Sequence, residues 1–147
     1  VYLKGHATAN TTAVLDLQGA FGLIENLSFH RGGSTNGGLV ALTGNSTSLR
    51  ALGTVVSNCL FRLCSHADYG ALNNVDNWFI TVYGCTFHDC LFGVRMIGSA
   101  STLRRITVKD CLFRNQTAAS VDTNIRMAGS NGQNIVIDGC TFTTPVG

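Results

Sequence analysis

The sequence predicts an all-β solenoid, a fold in which one short structural unit repeats along the chain, and three observations support this prediction. The first is that five segments align position by position, from an apolar start through a corner residue to a closing phenylalanine. These segments are residues 22–29, 54–61, 80–87, 106–113 and 135–142. The second is that four aligned cysteines follow one another after 26, 26 and 29 residues, a period of the size typical of repeat proteins. The third is that the chain has one proline and no stretch with a helical apolar stripe.

Each aligned segment is interpreted as a strand, a corner and a second short strand. In the clearest copy, Ile80 and Val82 alternate with polar residues, and the alternation shifts before Cys85 and Phe87. Period-two alternation of β-branched residues is typical of strands. The shift falls on Asn, Gly or Asp, which adopt a left-handed or bent backbone at little cost. The predicted corner residues are Asn26, Asn58, Gly84, Asp110 and Gly139.

A further strand signal follows within each period, at residues 38–42, 70–72, 93–97 and 124–127. Two or three short strands in each period suit a chain that winds in one direction, so that each strand pairs in parallel with its equivalent one coil later, ~4.8 Å away. Like residues then stack on like residues, which predicts a parallel β-helix with a cysteine ladder beside a buried phenylalanine ladder. The phenylalanines are Phe29, Phe61, Phe87, Phe113 and Phe142. An antiparallel sandwich is the alternative, although it does not require the same residue types at the same offset.

The pattern I-x-V-x-(N/G/D)-C-x-F, followed by a strand that begins with Gly, resembles the parallel β-helix repeat of the pectate-lyase-like superfamily. The segments 1–5, 12–19 and 24–29 look like the early coils of bacteriophage tailspike and depolymerase proteins. The resemblance covers almost the whole chain, and it implies a right-handed helix and a homotrimer with three helices side by side. The sequence lacks the NTD, GHG and RIK triplets of polygalacturonases and any recognisable motif of a calcium-dependent pectate lyase, so the resemblance assigns no catalytic residue.

Length and composition set further limits. The 147 residues suffice for one domain, residues 1–147, of about five to six coils. Both ends lack a polar or amphipathic cap, so we expect a segment of a longer β-helix, or ends that partner copies cover. Charged residues make up 12% of the chain, against about 25% in typical domains, and the net charge is +2. This small net charge predicts no nucleic-acid partner, and we interpret the basic pair Arg104 and Arg105 as a solvated turn. We find no transmembrane stretch in the sequence and therefore predict no membrane insertion.

The six cysteines are compatible with a disulfide framework, but the repeat favours a packing role. Four of them share one inward position with Leu27 of the first copy, and these are Cys59, Cys85, Cys111 and Cys140. Cys64 and Cys90 share a second position, five residues later. An exchange of cysteine with leucine indicates a buried apolar role, and therefore reduced thiols and folding in a reducing cytoplasm. Zinc is an alternative, although a row of sulfurs is not a tetrahedron, and we predict no metal and no cofactor.

Candidate catalytic residues lie where the coils differ in length. The interval from the ladder cysteine to the next strand is short after Cys85 and longer in the coils on either side, so loops 65–69 and 117–123 are predicted to form two walls of a notch. Asp68 and Asp122 would face each other across it, as do the two carboxyl groups of inverting glycosidases, and Asp89 on the short coil is a third candidate. The alternative is that these are ordinary turn residues, the commonest use of Asp.

Candidate binding residues surround the same notch. They are Tyr69, His66, His88, Arg95, Arg126 and Trp78. Tyr69 offers a ring for stacking on a sugar, and the two arginines suit an acidic sugar. For Trp78, an exposed ring would indicate sugar stacking and a buried ring would indicate a loop anchor.

A column of basic residues follows the phenylalanine ladder by one position. It contains His30, Arg62, His88 and Arg114. Strand alternation directs these side chains outward, where they would bind an anionic glycan, meet a neighbouring subunit or form a plain solvated edge.

These features leave three functions open. The first is a phage tailspike in the virion, folded in the host cytoplasm, which binds bacterial capsule or lipopolysaccharide and acts, if it is an enzyme, as a depolymerase. The second is a secreted polysaccharide lyase or glycoside hydrolase of the same fold. The third is a structural spacer, for which a smooth outer face without aromatic side chains is expected.

Overall fold

Short strands joined by corners make up the computed structural model, which describes residues 2–4, 15–17, 21–30, 40–43, 53–63, 72–75, 78–90, 92–97, 104–114, 123–128 and 133–143. The strands are β1 (Tyr2–Lys4), β2 (Leu15–Leu17), β3 (Leu23–Glu25), β4 (Ser28–His30), β5 (Val40–Thr43), β6 (Val55–Ser57), β7 (Leu60–Arg62), β8 (Leu72–Val75), β9 (Thr81–Tyr83), β10 (Thr86–His88), β11 (Phe92–Ile97), β12 (Arg104–Lys109), β13 (Leu112–Arg114), β14 (Thr123–Ala128), β15 (Gln133–Asp138) and β16 (Thr141–Thr143). In these ranges, no helix has the length and apolar character needed to cross a membrane.

The described strands form three parallel sheets. Sheet A has the order β1-β4-β7-β10-β13-β16, sheet B the order β14-β11-β8-β5-β2, and sheet C the order β15-β12-β9-β6-β3. Each strand pairs in parallel with the equivalent strand of the next rung, as the repeat predicts. The antiparallel sandwich is therefore excluded for these strands, and the architecture is that of a β solenoid.

The phenylalanine ladder runs through the interior of sheet A. Phe29, Phe61, Phe87 and Phe113 are at most 1% exposed, and their rings stack with centroids 4.8–5.1 Å apart. Phe142 continues the stack at 5.0 Å, but it is 49% exposed, so the prediction of a fully buried ladder is wrong for this last ring. Stacked rings in one register fix the rungs relative to one another, because a slip by one residue would turn every ring outward.

The corner between sheets C and A confirms the predicted corner residues. Asn26, Asn58, Gly84, Asp110 and Gly139, which we call the first corner, have φ angles between 51° and 60°. Gly84 also leaves room for a neighbouring side chain, because a Cβ atom there would lie 2.7 Å from Oδ1 of Asn58 on the preceding rung. The backbone ladder continues across the corner, where the Asn58 N–H donates to the Tyr83 carbonyl at 3.0 Å.

A cysteine follows four of the first-corner residues, and its side chain faces the core. Cys59, Cys85 and Cys111 are buried, Cys140 is partly buried, and all four are free thiols, as is the buried Cys90. The four Sγ atoms lie 3.2–3.5 Å from the backbone carbonyl two residues earlier, which belongs to the residue before the corner. The thiols therefore fill the core, as predicted, and also contact the corner backbone. Cys64 lies outside the described residues.

Candidate functional site

The outer face of sheet A carries one column of basic residues. Strand pairing brings Lys4, His30, Arg62, His88 and Arg114 into direct register on successive rungs, and we call this set the basic column. The four residues predicted as a column are therefore confirmed to lie in register, and strand pairing adds Lys4 to them. Arg62 and Arg114 are exposed, whereas His30 and His88 are half-buried. His30, Arg62, His88 and Arg114 each follow a buried phenylalanine, which explains why these four side chains face outward.

The middle of the basic column contains a histidine–aspartate pair. His88 Nδ1 lies 3.2 Å from Asp89 Oδ2, a separation that forms an ion pair when the imidazole is protonated. Asp89 has a φ of 52°, and its N–H donates to the Arg114 carbonyl at 2.9 Å. Leu63 has the equivalent conformation one rung earlier, with a φ of 58°. The left-handed backbone thus holds the Asp89 carboxylate beside His88, between the rungs that carry Arg62 and Arg114.

Sheet B contributes two further arginines. Arg95 and Arg126 are paired in register on adjacent rungs, and the Arg126 guanidinium lies 5.2 Å from the centroid of the Phe92 ring. Phe92 is 3% exposed, so an exposed cation covers a buried ring. The backbone of this strand also lies against the core, since a Cβ atom at Gly93 would be 2.7 Å from the Phe113 ring.

The described residues include only part of the predicted notch. Asp68, Tyr69, His66 and Asp122 lie outside the described residues, so the two walls and the facing carboxylates stay predictions. The short coil predicted to lie between the walls is described except for residue 91; Asp89 directly follows β10 of sheet A, and Phe92 begins β11 of sheet B. Trp78 is half-buried, and its carbonyl accepts a hydrogen bond from the Gly53 N–H at 3.2 Å.

The repeat in the sequence did not predict a second corner, which also has left-handed backbone. Its residues precede the first corner by five positions on every rung, and they are Phe21, Gly53, Phe79, Arg105 and Asn134, with φ angles between 51° and 67°. We call this set the second corner. The sequence did contain a signal of this corner, because two residues that favour left-handed backbone occupy equivalent positions in the alignment, Gly53 and Asn134. Arg104 and Arg105, interpreted from the sequence as a solvated turn, both belong to β12, but Arg105 is exposed and turns the chain at this corner with a φ of 51°.

The second corner displays aromatic and cationic side chains to solvent. Phe21 is 82% exposed and Phe79 is 46% exposed. The Arg105 guanidinium lies 5.3 Å from the centroid of the Phe79 ring, a cation–π contact between adjacent rungs.

The chemistry of these sites is that of anion and ring binding. Guanidinium groups bind carboxylates through paired, charge-assisted hydrogen bonds, and exposed aromatic faces bind apolar ring faces. In the described part of the chain, no three His, Cys, Asp or Glu side chains are grouped as metal ligands.

Comparison with protein-family models, with curated proteins and with solved structures found no match for this chain.

Proposed function

We propose that this chain is a β-helical segment of a tailspike-type receptor-binding protein, which binds an acidic polysaccharide of a bacterial surface along the basic column. The observation that carries this proposal is the register of Arg62, His88 and Arg114 on three successive rungs of one outer face. Two guanidinium groups on one face, two rungs or about 10 Å apart, suit a linear polymer with regularly placed anionic groups.

The arrangement of the column supports a binding role. Like charges directly opposite each other on neighbouring strands are destabilising. Here the two permanent cations Arg62 and Arg114 are not on neighbouring strands, because the rung that carries His88 and Asp89 lies between them. The column therefore limits its own repulsion while presenting two guanidinium groups about 10 Å apart to a ligand.

Broader parts of the proposal depend on the resemblance of the repeat. They are a right-handed helix of the pectate-lyase-like type, about five to six coils in this segment, a homotrimer, and a place in the phage tail. The exposed rings of Phe21 and Phe79 favour a binding protein over a plain spacer, for which a smooth face without aromatic side chains is expected. A trimer that resists detergent on an unheated gel is the expected result for the assembled protein, and a stable monomer would contradict the trimer.

Binding along the basic column is tested with a matched pair of polymers. At low salt, we expect the protein to bind polygalacturonate, which has a carboxylate on each sugar, more tightly than its methyl ester, which has the same backbone without the charge. The double variant R62Q/R114Q should bind at least about tenfold more weakly at low salt. Lys109→Gln, which removes an exposed cation of sheet C, is the matched control and should bind as the wild type does.

Two outcomes would contradict this proposal. One is equal binding of the charged polymer and its ester, since the column recognises the anion. The other is equally tight binding of a single-stranded oligonucleotide, which would indicate a general polyanion site or a nucleic-acid site. Added salt should weaken the binding of polygalacturonate strongly, because at ~1 M the Debye length falls to ~3 Å.

Polysaccharide cleavage is a separate part of the proposal. Asp68 and Asp122 are the proposed acid and base, with Asp89 beside His88 as the third carboxylate. Asp68→Asn or Asp122→Asn should abolish release of short products from capsule or lipopolysaccharide while the fold is kept. Full activity in both variants would remove these two residues from the mechanism, and an unsaturated product end would indicate elimination in place of hydrolysis.

A further inference from the structure

The second corner places bulky side chains in a backbone conformation that disfavours them. Phe21 and Phe79 have φ angles of 60° and 59°. For a bulky residue, a positive φ is a true outlier, because the Cβ atom crowds the following carbonyl oxygen. The same column contains Gly53 and Asn134, which tolerate this conformation, so the fold does not require phenylalanine at this position.

Packing does not offset this strain for the more exposed ring. Phe21 is 82% exposed, whereas the ladder phenylalanines with ordinary strand backbone are at most 1% exposed. Residues in sparsely populated backbone conformations are concentrated at functional sites, where the strain is not offset by burial of the side chain. An exposed aromatic ring that costs stability is therefore an indication of a ligand.

The corner residues form one continuous ridge along the solenoid. The Phe21 ring extends over the next rung, where a Cβ atom on Gly53 would lie only 2.8 Å from its Cδ1 atom. Phe79 occupies the following rung, and Arg105 on the rung after that reaches back over its ring. Gly53 thus leaves room for the Phe21 ring, and the ridge consists of two aromatic faces followed by a guanidinium.

We propose that the second corner is a stacking site for a glycan, separate from the basic column. The rings of Phe21 and Phe79 bind the apolar C–H faces of pyranose rings, and Arg105 binds an acidic substituent further along the same chain. This inference rests on the proposed function for the identity of the ligand, and it adds a site on a different face of the solenoid.

The surroundings of the ridge favour a sugar over a second copy of this chain. Thr81 and Thr107 lie beside Phe79 and Arg105 on the outer face of sheet C, and both are half-buried. A ring face bordered by hydroxyl groups and a cation matches a pyranose, which is apolar on its face and polar around its edge. Phenylalanine and arginine are also enriched at protein–protein interfaces, so the threonine hydroxyl groups beside the ring, and not the cation, are what favours a sugar.

The only tryptophan of the chain provides a direct readout, because Trp78 precedes Phe79. We would titrate the protein with polygalacturonate in ~1 M salt, where binding by the basic column is screened. The expected result is a saturable change in Trp78 emission that R62Q/R114Q retains and that Phe21→Asn weakens about tenfold. Phe21→Asn should also unfold at a higher temperature than the wild type, since asparagine tolerates the corner backbone.

The outcomes separate this inference from the proposed function. Salt-sensitive, Arg62-dependent binding without any change in Trp78 emission would overturn the ridge and leave the basic column intact. A Trp78 response together with wild-type binding by R62Q/R114Q at low salt would support the ridge and overturn the column. Unchanged affinity in Phe21→Asn, a lower unfolding temperature, or loss of self-association in place of glycan binding would each overturn the ridge.

Discussion

Two of the left-handed corners of the solenoid, the first corner and the second corner, have the same backbone conformation and different compositions. Both turn the chain with φ angles between 51° and 67°, and they are separated by five residues on every rung. The first corner contains only Asn, Asp and Gly, the residue types that tolerate this conformation. The second corner contains two phenylalanines and an arginine beside Gly53 and Asn134. Backbone geometry alone therefore does not explain the composition of the second corner.

Both corners donate N–H groups to carbonyls of the next rung, as Gly84 does to Lys109 at 3.0 Å and Gly53 does to Trp78 at 3.2 Å. The first corner has one additional support. The cysteine that follows it contacts the carbonyl before it, as Cys85 does with Tyr83 at 3.5 Å. Ile80 follows the second corner at Phe79, in the place that Cys85 has after Gly84. This comparison indicates that the first corner is built for stability, whereas the second corner carries a functional requirement.

The largest expected effect on the free energy of unfolding comes from removing a buried ladder phenylalanine, in contrast to an exposed phenylalanine of the second corner. Phe87→Ala should lower the free energy of unfolding by about 3–5 kcal/mol, because it leaves a cavity between the stacked rings of Phe61 and Phe113. Phe21→Ala should change it by no more than about 0.5 kcal/mol, because that ring is exposed. Denaturant unfolding measures both. Similar losses in the two variants would show that the Phe21 ring is part of the structure.

A smaller effect tests the role of the cysteines at the first corner. Hydrogen bonds to the Cys111 and Cys59 thiols raise the pKa of Cys85, so this residue is a neutral thiol and a donor at neutral pH. Cys85→Ala should cost about 1–2 kcal/mol, through lost packing and the lost contact with the Tyr83 carbonyl.

Cys85→Ser is the matched control, because serine has the size of alanine with a hydroxyl added. If the thiol supports the corner, the serine variant is the more stable of the two in denaturant unfolding. If the thiol only fills apolar space, the alanine variant is the more stable, because serine then buries an unsatisfied hydroxyl.

The sequence predicted those features in which residue chemistry repeats. The Phe61–Phe87–Phe113 stack, the inward cysteines and the first corner were all found because the same residue types recur at one offset. The second corner escaped prediction because Phe79 and Arg105 share a conformation with Gly53 without sharing its chemistry. The contact of the cysteine thiols with the corner carbonyls was also not predicted, since it depends on atomic positions.

Prediction of the candidate site was limited in a different way. Alternation along the strands placed Arg62, His88 and Arg114 on one outer column, and the structure has them in that register. The pairing of His88 with Asp89 depends on the left-handed φ of Asp89, which the alternation of apolar residues does not encode. Asp68 and Asp122 belong to segments predicted as loops of unequal length, where the repeat gives no register from which to predict a position.

The most direct test exchanges residue types between the two corners and measures the free energy of unfolding of each variant. Phe21→Asn gives the second corner a residue suited to its backbone and should stabilise the protein by about 1 kcal/mol. Asn58→Phe puts a bulky residue into the first corner and should destabilise the protein by about 1 kcal/mol. Opposite signs are the result that this account predicts. Destabilisation by both substitutions would contradict it, because the second corner would then be as well adapted to stability as the first.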